Sequence, residues 1–277
     1  MKHAETQWQA SDGVMLLFAQ NWEPEAGLKG VVCLVHGLGE HSGRYEHLAK
    51  FLTQNGYAVF TYDLRGHGKS GGPRGHTPSF EAFMEDITLL VKEAASRYPG
   101  QPQFLYGHSM GGILVLNYVI RRKPELAGVI ATSSGLRTAL QNQKLKLAMV
   151  QTLGVALPLL SIPSGLEVPA LSQDPAVIET YRQDPLVHDR CTLGWARSML
   201  PVLSWTYEHA PDISIPLLLM HGASDRLAFP EGSEEFSRQV QCECTLKIWE
   251  GLYHEIHNEP AQGEVFAFLL NWLNARR

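Results

Sequence analysis

A serine between glycines is the residue of this sequence best suited to nucleophilic chemistry. Ser109 lies in the segment 107–111, which has the pattern Gly-x-Ser-x-Gly. An apolar run of strand length (104–106) precedes it, and an apolar run of helical length (112–119) follows it. Between a strand and a helix this pattern is typical of a nucleophile elbow, a strained turn that lifts the serine hydroxyl above the sheet. We interpret Ser109 as a nucleophile; a glycine-rich turn with a capping serine is the alternative.

Two residues that follow Ser109 in the chain complete a candidate catalytic set. A serine hydroxyl needs a base, and the base needs an orienting carboxylate. Asp225 comes just after the apolar run 217–220, and ligands bind at such strand ends in open α/β sheets. His254 follows the next predicted strand, 245–249. The order serine, acid, histidine is that of elbow enzymes, so we predict that His254 is the base and Asp225 its orienting acid.

Other acids and histidines compete for these roles. Asp63 also ends a predicted strand, but it precedes the serine. We expect it to hold its own loop by accepting hydrogen bonds from backbone groups and from Arg65. His221 is expected to pack beneath the site. His257 is the rival of His254 as the base, or else a contact to the ligand.

Backbone N–H groups are expected to form the oxyanion hole. In elbow enzymes one donor belongs to the residue after the nucleophile, here Met110, and the second to a loop after an earlier strand. That loop begins with His36 in this chain. Gly37 and Gly39 let its backbone turn close to the substrate, so Leu38 is predicted as the second donor.

Composition excludes several classes of protein. The 277 residues carry a formal charge of −5 without a long basic run, which argues against a nucleic-acid partner. The polar first residues lack the apolar segment of a signal peptide, and no apolar run is long enough to span a bilayer. The four cysteines show no zinc-ligand spacing. We therefore expect a cytoplasmic protein with reduced thiols and without a metal.

Apolar runs of strand length alternate with segments of helical period, which predicts a mostly parallel sheet with helices on both faces. The first two strands are predicted to form an antiparallel hairpin. The predicted strands are 7–10, 14–21, 31–36, 57–62, 104–106, 126–132, 217–220 and 245–249. The predicted helices are 45–54, 80–98, the helix after the elbow and 263–276. The fold class is therefore α/β, with eight strands.

One long segment interrupts this alternation. Residues 136–214 contain no clear β-strand and read as a helical cap inserted into a core formed by 1–135 and 215–277. The middle of the cap, 145–163, is apolar and has a single charge, Lys146. Either it packs its apolar face on the core, or it forms a partly exposed lid that touches lipid. Periodicity alone does not distinguish these alternatives.

Three motifs resemble the α/β-hydrolases of the monoacylglycerol lipase and lysophospholipase group. They are the segments 35–45, 63–70 and 107–112. The second and third recur across the superfamily, whereas the Gly-Glu-His-Ser-Gly-Arg-Tyr string at 39–45 is more specific to this group. The resemblance covers both ends of the chain and weakens in the cap.

The resemblance also implies roles for single residues. The pattern Tyr-His-x-x-His at 253–257 makes its first histidine the base, which favours His254 over His257. The resemblance implies that Ser109 and Asp225 complete the triad, and that Leu38 and Met110 are the oxyanion donors. For the glycerol head group the implied contacts are Glu40, Arg44 and His257. The alternative for Glu40 and Arg44 is a local ion pair that stiffens their loop.

The function implied is hydrolysis of carboxylic esters of glycerol, with monoacylglycerols as the first choice. A lysophospholipase or a broad carboxylesterase is the alternative, and an acyltransferase would use the same acyl-enzyme. We expect no metal or organic cofactor. The expected partners are a small lipid or ester substrate and, through the cap, a membrane surface, which would make the protein peripheral to the membrane. Acyl-chain and head-group preference would depend on the cap.

Overall fold

The core of the molecule is an eight-stranded sheet, as predicted. The computed structural model describes residues 1–139 and 144–276. In chain order the strands are β1 (Lys2–Gln9), β2 (Leu16–Glu23), β3 (Gly30–Val35), β4 (Tyr57–Tyr62), β5 (Gln103–His108), β6 (Gly128–Thr132), β7 (Ser161–Pro163), β8 (Arg190–Thr192), β9 (Leu217–Gly222) and β10 (Cys244–Trp249). The sheet order is β1-β2-β4-β3-β5-β6-β9-β10. The β1–β2 and β2–β4 pairs are antiparallel, and the pairs from β4 to β10 are parallel.

Helices cover both faces of this sheet. In chain order the helices of the described residues are α1 (Glu46–Gln54), α2 (Phe80–Arg97), α3 (Met110–Arg122), α4 (Lys144–Ala156), α5 (Pro175–Gln183), α6 (Leu193–Glu208), α7 (Pro230–Gln239) and α8 (Gln262–Asn274), of which α4, α5 and α6 lie between β6 and β9. Along β3, Val31 and Cys33 pack with the apolar side chains of α2 and α3, whereas Val32 packs with those of α1 and α8. Because successive side chains of a strand point to opposite faces, a strand covered on both sides is apolar at every position.

The carboxyl ends of the parallel strands bring the candidate residues to one edge of the sheet. The loop with Leu38 follows β3, and Ser109 follows β5 directly. Asp225 lies in the loop after β9, and His254 in the loop after β10. Parallel strands place these loops on the same side, where ligands bind in α/β folds.

The segment between β6 and β9 contains more than helices, which corrects one prediction. Within 136–214, β7 and β8 form an antiparallel pair, with Ile162 opposite Cys191. Each strand has three residues, which is too short for a recognisable alternation of apolar and polar positions. Since β6 and β9 are neighbours in the sheet, everything between them is an insertion. The boundaries of the cap, 136–214, stay a prediction, and its residues 140–143 lie outside the described part of the chain.

The two halves of the insertion differ in their contacts to the core. The half with α4 packs on α6, where Val150 lies in a small apolar cluster with Leu193 and Ala196. The half with α5 and β8 is hydrogen-bonded to core loops: Glu255 N–H donates to Leu171 O, and His188 N–H donates to Gly39 O. Within residues 1–139 and 144–276, no helix has the length and apolarity needed to cross a membrane.

Candidate active site

Ser109 occupies a sharp turn between β5 and α3. Its backbone angles are φ 55° and ψ −116°, a conformation that is strained for a residue with a side chain. A β-carbon at Gly107 would collide with the Gly111 carbonyl oxygen, and one at Gly111 would collide with Val35 O. The two glycines are therefore required by close backbone packing. The turn leaves Ser109 partly exposed while its neighbours are buried.

The structure brings Ser109, His254 and Asp225 together in a chain of hydrogen bonds. His254 Nε2 lies 2.9 Å from Ser109 Oγ, and His254 Nδ1 lies 2.7 Å from Asp225 Oδ2. Because an ionised carboxylate only accepts hydrogen bonds, Nδ1 carries the proton. Nε2 is then free to accept the proton of the serine hydroxyl, which is the arrangement that nucleophilic catalysis by serine requires.

Asp225 is held by several donors besides His254. Its Oδ1 accepts hydrogen bonds from the backbone N–H groups of Leu227 and Ala228, at 2.8 and 3.0 Å. Burial raises the pKa of Asp225, but the charge of His254 and the hydrogen bonds of His254 and His221 outweigh burial. The pKa of Asp225 is therefore held well below its ordinary value, and the side chain is ionised at neutral pH.

His221 lies behind Asp225, which matches its expected place beneath the site. His221 Nε2 is 3.0 Å from Asp225 Oδ2 and 2.9 Å from Ala228 O. Both partners are acceptors, so Nε2 carries the proton and Nδ1 accepts from Ser233 Oγ at 2.7 Å. His221 is thus a donor to Asp225.

The electrostatics of His254 suit a base. Burial lowers the pKa of His254, but the charge of Asp225 and the hydrogen bond to it outweigh burial. The net result is a pKa raised above the ordinary histidine value. The imidazolium that forms when His254 accepts a proton is therefore stabilised.

The loop after β3 passes directly against Ser109. A β-carbon at Gly37 would lie 3.2 Å from Ser109 Cβ. Glu40 Oε1 accepts a hydrogen bond of 2.6 Å from Gly37 N–H. On the other side of Ser109, Met110 is the first residue of α3, and the first N–H groups of a helix have no acceptor within it. The predicted oxyanion donors Leu38 and Met110 therefore belong to backbone that flanks Ser109.

The predicted head-group residues are bonded within the protein. Arg44 Nη1 donates to Glu40 Oε2 at 3.0 Å, and the two nitrogens of Arg44 donate to the carboxylate of Glu255 at 2.5 and 2.7 Å. His257 is buried and stacked on Tyr45, with ring centroids 4.7 Å apart. Burial lowers the pKa of His257 to about 3, so it is neutral at neutral pH. A role of Glu40, Arg44 and His257 toward glycerol stays a prediction.

Asp63 holds its loop through hydrogen bonds from backbone N–H groups, as predicted, but the prediction that Arg65 also donates to it was wrong. It accepts hydrogen bonds from Ser42 N–H at 2.8 Å and from Lys69 N–H at 2.7 Å. Arg65 instead donates twice to Asp86, at 2.6 and 2.7 Å. Asp86 lies on α2, more than twenty residues along the chain, and its carboxylate was not recognisable as a partner from local spacing.

Comparison with known proteins establishes the family. Residues 26–261 match the family model described as Serine aminopeptidase, S33 (Hydrolase_4). The chain is 35% identical to a monoacylglycerol lipase of Mycolicibacterium smegmatis, over 91% of this chain and 90% of that protein. The crystal structure of a monoacylglycerol lipase from Paleococcus ferrophilus superimposes with a TM-score of 0.87 at 35% identity, covering 94% of this chain and 99% of that one. The chain belongs to the monoacylglycerol lipase group of the α/β-hydrolases.

A further relative has a different overall length. This chain is 39% identical to an abhydrolase domain-containing protein of Dictyostelium discoideum, over 94% of its own length. It spans only 28% of that relative. The match to the family model and the similarity to the two monoacylglycerol lipases confirm the predicted family, the α/β-hydrolase fold and the class of carboxylic ester hydrolase.

Two residues of this hydrolase site escaped the sequence analysis. Glu255 is one, and its position directly after His254 was its only sequence signal. Tyr181 of α5 is the other: its ring lies 4.7 Å from the Arg44 guanidinium. The Tyr181 hydroxyl is buried, has no hydrogen-bond partner among the described residues, and lies 3.6 Å from where a β-carbon on Gly39 would be. No pattern in α5 points to a contact with the loop after β3.

Proposed function

We propose that the protein is a monoacylglycerol lipase, which hydrolyses a monoacylglycerol to a fatty acid and glycerol through an acyl-enzyme. The observation that carries this proposal is the hydrogen-bond chain from Ser109 through His254 to Asp225, at 2.9 and 2.7 Å. The similarity to monoacylglycerol lipases over most of both chains supports the choice of substrate.

In the proposed mechanism Ser109 Oγ attacks the ester carbonyl while His254 Nε2 takes the hydroxyl proton. Asp225 keeps His254 in the required tautomer and stabilises its cation. The N–H groups of Leu38 and Met110 hold the oxyanion of the tetrahedral intermediate. His254 then returns the proton to the leaving glycerol oxygen, which breaks the ester bond and leaves the acyl group on Ser109. Water, activated by His254, releases the fatty acid by the same steps.

A panel of esters tests the proposed substrate. We expect the purified protein to show a higher kcat/KM for monoacylglycerols than for lysophospholipids, triacylglycerols or short p-nitrophenyl esters, since discrimination is measured by this ratio. A higher kcat/KM for lysophospholipids would contradict the proposal. Product analysis with excess glycerol separates hydrolysis from acyl transfer, because a transferase would return the acyl group to an alcohol.

We also propose that the cap contacts lipid surfaces through α4 and the segment after it. The exposed fraction is 64% for Val155 and 62% for Leu159, and the neighbouring side chains Leu153, Leu157 and Leu160 are exposed as well. Contiguous exposed apolar side chains of this kind are typical of a surface that binds a membrane or another protein. Because a monoacylglycerol, the proposed substrate, partitions into membranes, we favour a membrane over another protein as the partner of this surface.

Replacing Val155 and Leu159 together by Glu is expected to weaken binding to phospholipid vesicles roughly tenfold or more, because each partly exposed side chain contributes on the order of 1 kcal/mol when it enters lipid. Cosedimentation with vesicles measures the binding. Turnover of a dissolved short ester should be unchanged. Val14, which is 85% exposed in the β1–β2 turn, provides the control: Val14→Glu should bind vesicles like the unmodified protein. Equal vesicle binding by all three proteins would contradict the proposal.

A further inference from the structure

Three buried charged side chains connect the loop after β3 to the loop that carries His254. Arg44 lies in the centre and donates hydrogen bonds to Glu40 on one side and to Glu255 on the other. The exposed fractions of these side chains are 4% for Glu40, 9% for Arg44 and 2% for Glu255. We call this set the Glu40–Arg44–Glu255 bridge.

The Glu40 end of the bridge holds the backbone beside the nucleophile. Glu40 Oε1 accepts from Gly37 N–H at 2.6 Å and from the Tyr45 hydroxyl at 2.8 Å. Gly37 packs against Ser109 and directly precedes Leu38, the proposed oxyanion donor. A movement of the Glu40 carboxylate would therefore move or release the backbone that leads into this donor.

The Glu255 end is attached to the base and to the cap. Glu255 directly follows His254, and its own N–H donates to Leu171 O at 2.8 Å. Its Oε2 also accepts from the Asn258 side chain at 2.8 Å. Burial raises the pKa of Glu255, but the Arg44 charge outweighs burial and lowers that pKa to about 2. The carboxylate is thus ionised when it binds Arg44, and the contact is a bidentate, charge-assisted one of the strong kind.

Removing one carboxylate of this bridge takes from the buried Arg44 guanidinium the hydrogen bonds and part of the charge that compensate it. An unpaired buried charge is strongly unfavourable, so the remaining groups must move to find water or another partner. Without the Glu255 carboxylate, Arg44 would have Glu40 as its remaining charged partner in the bridge. Its side chain, and Glu40 with it, would then be free to shift relative to Gly37.

We propose that Glu255 is a positioning residue, which acts through Arg44 and Glu40 to hold the oxyanion loop at its working distance from His254 and Ser109. The inference rests on the proposed function of the site, and it adds to that function a residue that need not touch the substrate. It differs from a role of the bridge in binding glycerol. A glycerol contact affects only substrates with a glycerol head group, whereas a displaced oxyanion loop slows every ester.

The test is the variant Glu255→Gln, assayed with a monoacylglycerol and with a p-nitrophenyl ester of the same acyl chain. We expect kcat to fall roughly ten- to a hundredfold on both esters, with little change in KM. This loss is smaller than the roughly 10²- to 10³-fold loss on removal of an oxyanion donor, because the donor is displaced and not removed. Active sites are counted by titration with a fluorophosphonate, so that an inactive fraction does not lower the apparent kcat.

A matched control separates positioning from a general loss of stability. Arg65 and Asp86 form an equally buried, bidentate pair between the loop after β4 and α2. Asp86→Asn should lower the thermal midpoint, as Glu255→Gln does, while leaving kcat per active site unchanged. If Glu255→Gln does not fold, Arg44→Lys replaces it, because lysine keeps the charge but cannot donate in the same bidentate manner.

Each outcome decides between the alternatives. Loss of kcat on both esters, with the Asp86→Asn variant at full kcat, supports the proposal. An unchanged kcat in the variant, a loss confined to the monoacylglycerol, or an equal loss in Asp86→Asn overturns it. A different result overturns the proposed function itself: unmodified protein that neither hydrolyses any ester nor reacts with the fluorophosphonate.

Discussion

Replacing Ser109 by Ala is expected to lower kcat for ester hydrolysis roughly 10⁴-fold or more, because the proposed acyl-enzyme forms on the Ser109 hydroxyl. The fold should be retained. Alanine keeps the β-carbon that the turn already accommodates, and the lost hydroxyl has His254 Nε2 as its partner at 2.9 Å. Turnover of a p-nitrophenyl ester and of a monoacylglycerol measures the loss, and circular dichroism measures the fold.

A second serine provides the control for this variant. Ser237 lies on α7 and its hydroxyl donates only to the Glu234 carbonyl oxygen among the described residues, at 2.8 Å. Ser237→Ala should therefore keep full activity. A fluorophosphonate should label the unmodified protein and Ser237→Ala but not Ser109→Ala. Esterase activity or labelling that persists in folded Ser109→Ala would disprove the assignment of the nucleophile.

The sheet was predictable because burial on both faces leaves a strong signal in the sequence. β4 coincides with its predicted strand, residues 57–62, and β3 ends at Val35, one residue before its predicted end. The first hairpin was less predictable. β1 begins at Lys2, whereas the prediction began at residue 7. As an edge strand with exposed residues, β1 has little apolar alternation to recognise.

The positions of the proposed catalytic residues were predictable for a different reason. The elbow, the strand-end aspartate and the histidine in the last loop are each defined by local sequence and by their order along the chain. The distances between them follow from the parallel sheet, which brings strand ends together whatever the loops contain. Chain order and fold class predicted that Ser109, Asp225 and a histidine of the last loop meet, and the resemblance of 253–257 to the Tyr-His-x-x-His pattern then favoured His254 over His257.

The supporting contacts were not predictable in this way, because each joins distant parts of the chain through a single side chain. Arg44 and Glu255 are separated by 211 residues, and nothing in either segment identifies the other as its partner. The same is true of Tyr181 in the cap, whose position near Arg44 depends on how α5 lies on the core. The position of Glu255 next to His254 therefore indicates a contact with Arg44 only once the fold is known.

Replacing Asp225 by Asn is expected to lower kcat/KM at neutral pH roughly 10³- to 10⁴-fold, since a neutral amide no longer favours the Nδ1–H tautomer of His254 or stabilises its cation. The pH dependence should change as well. His254 must be neutral to accept the Ser109 proton, and Asp225 raises its pKa. In the unmodified protein kcat/KM should therefore fall with decreasing pH at a midpoint above the ordinary histidine value of about 6.5.

In Asp225→Asn that midpoint should move to lower pH, because the loss of the carboxylate charge leaves burial, which lowers the pKa of His254, less opposed. Profiles of kcat/KM from about pH 5 to 9 measure both midpoints. Asp212, which is exposed and precedes β9, supplies the control, since Asp212→Asn should reproduce the unmodified profile. A midpoint that stays in place or rises in folded Asp225→Asn would mean that the Asp225 charge does not set the pKa of the base. The hydrogen-bond chain would then need another explanation than catalysis.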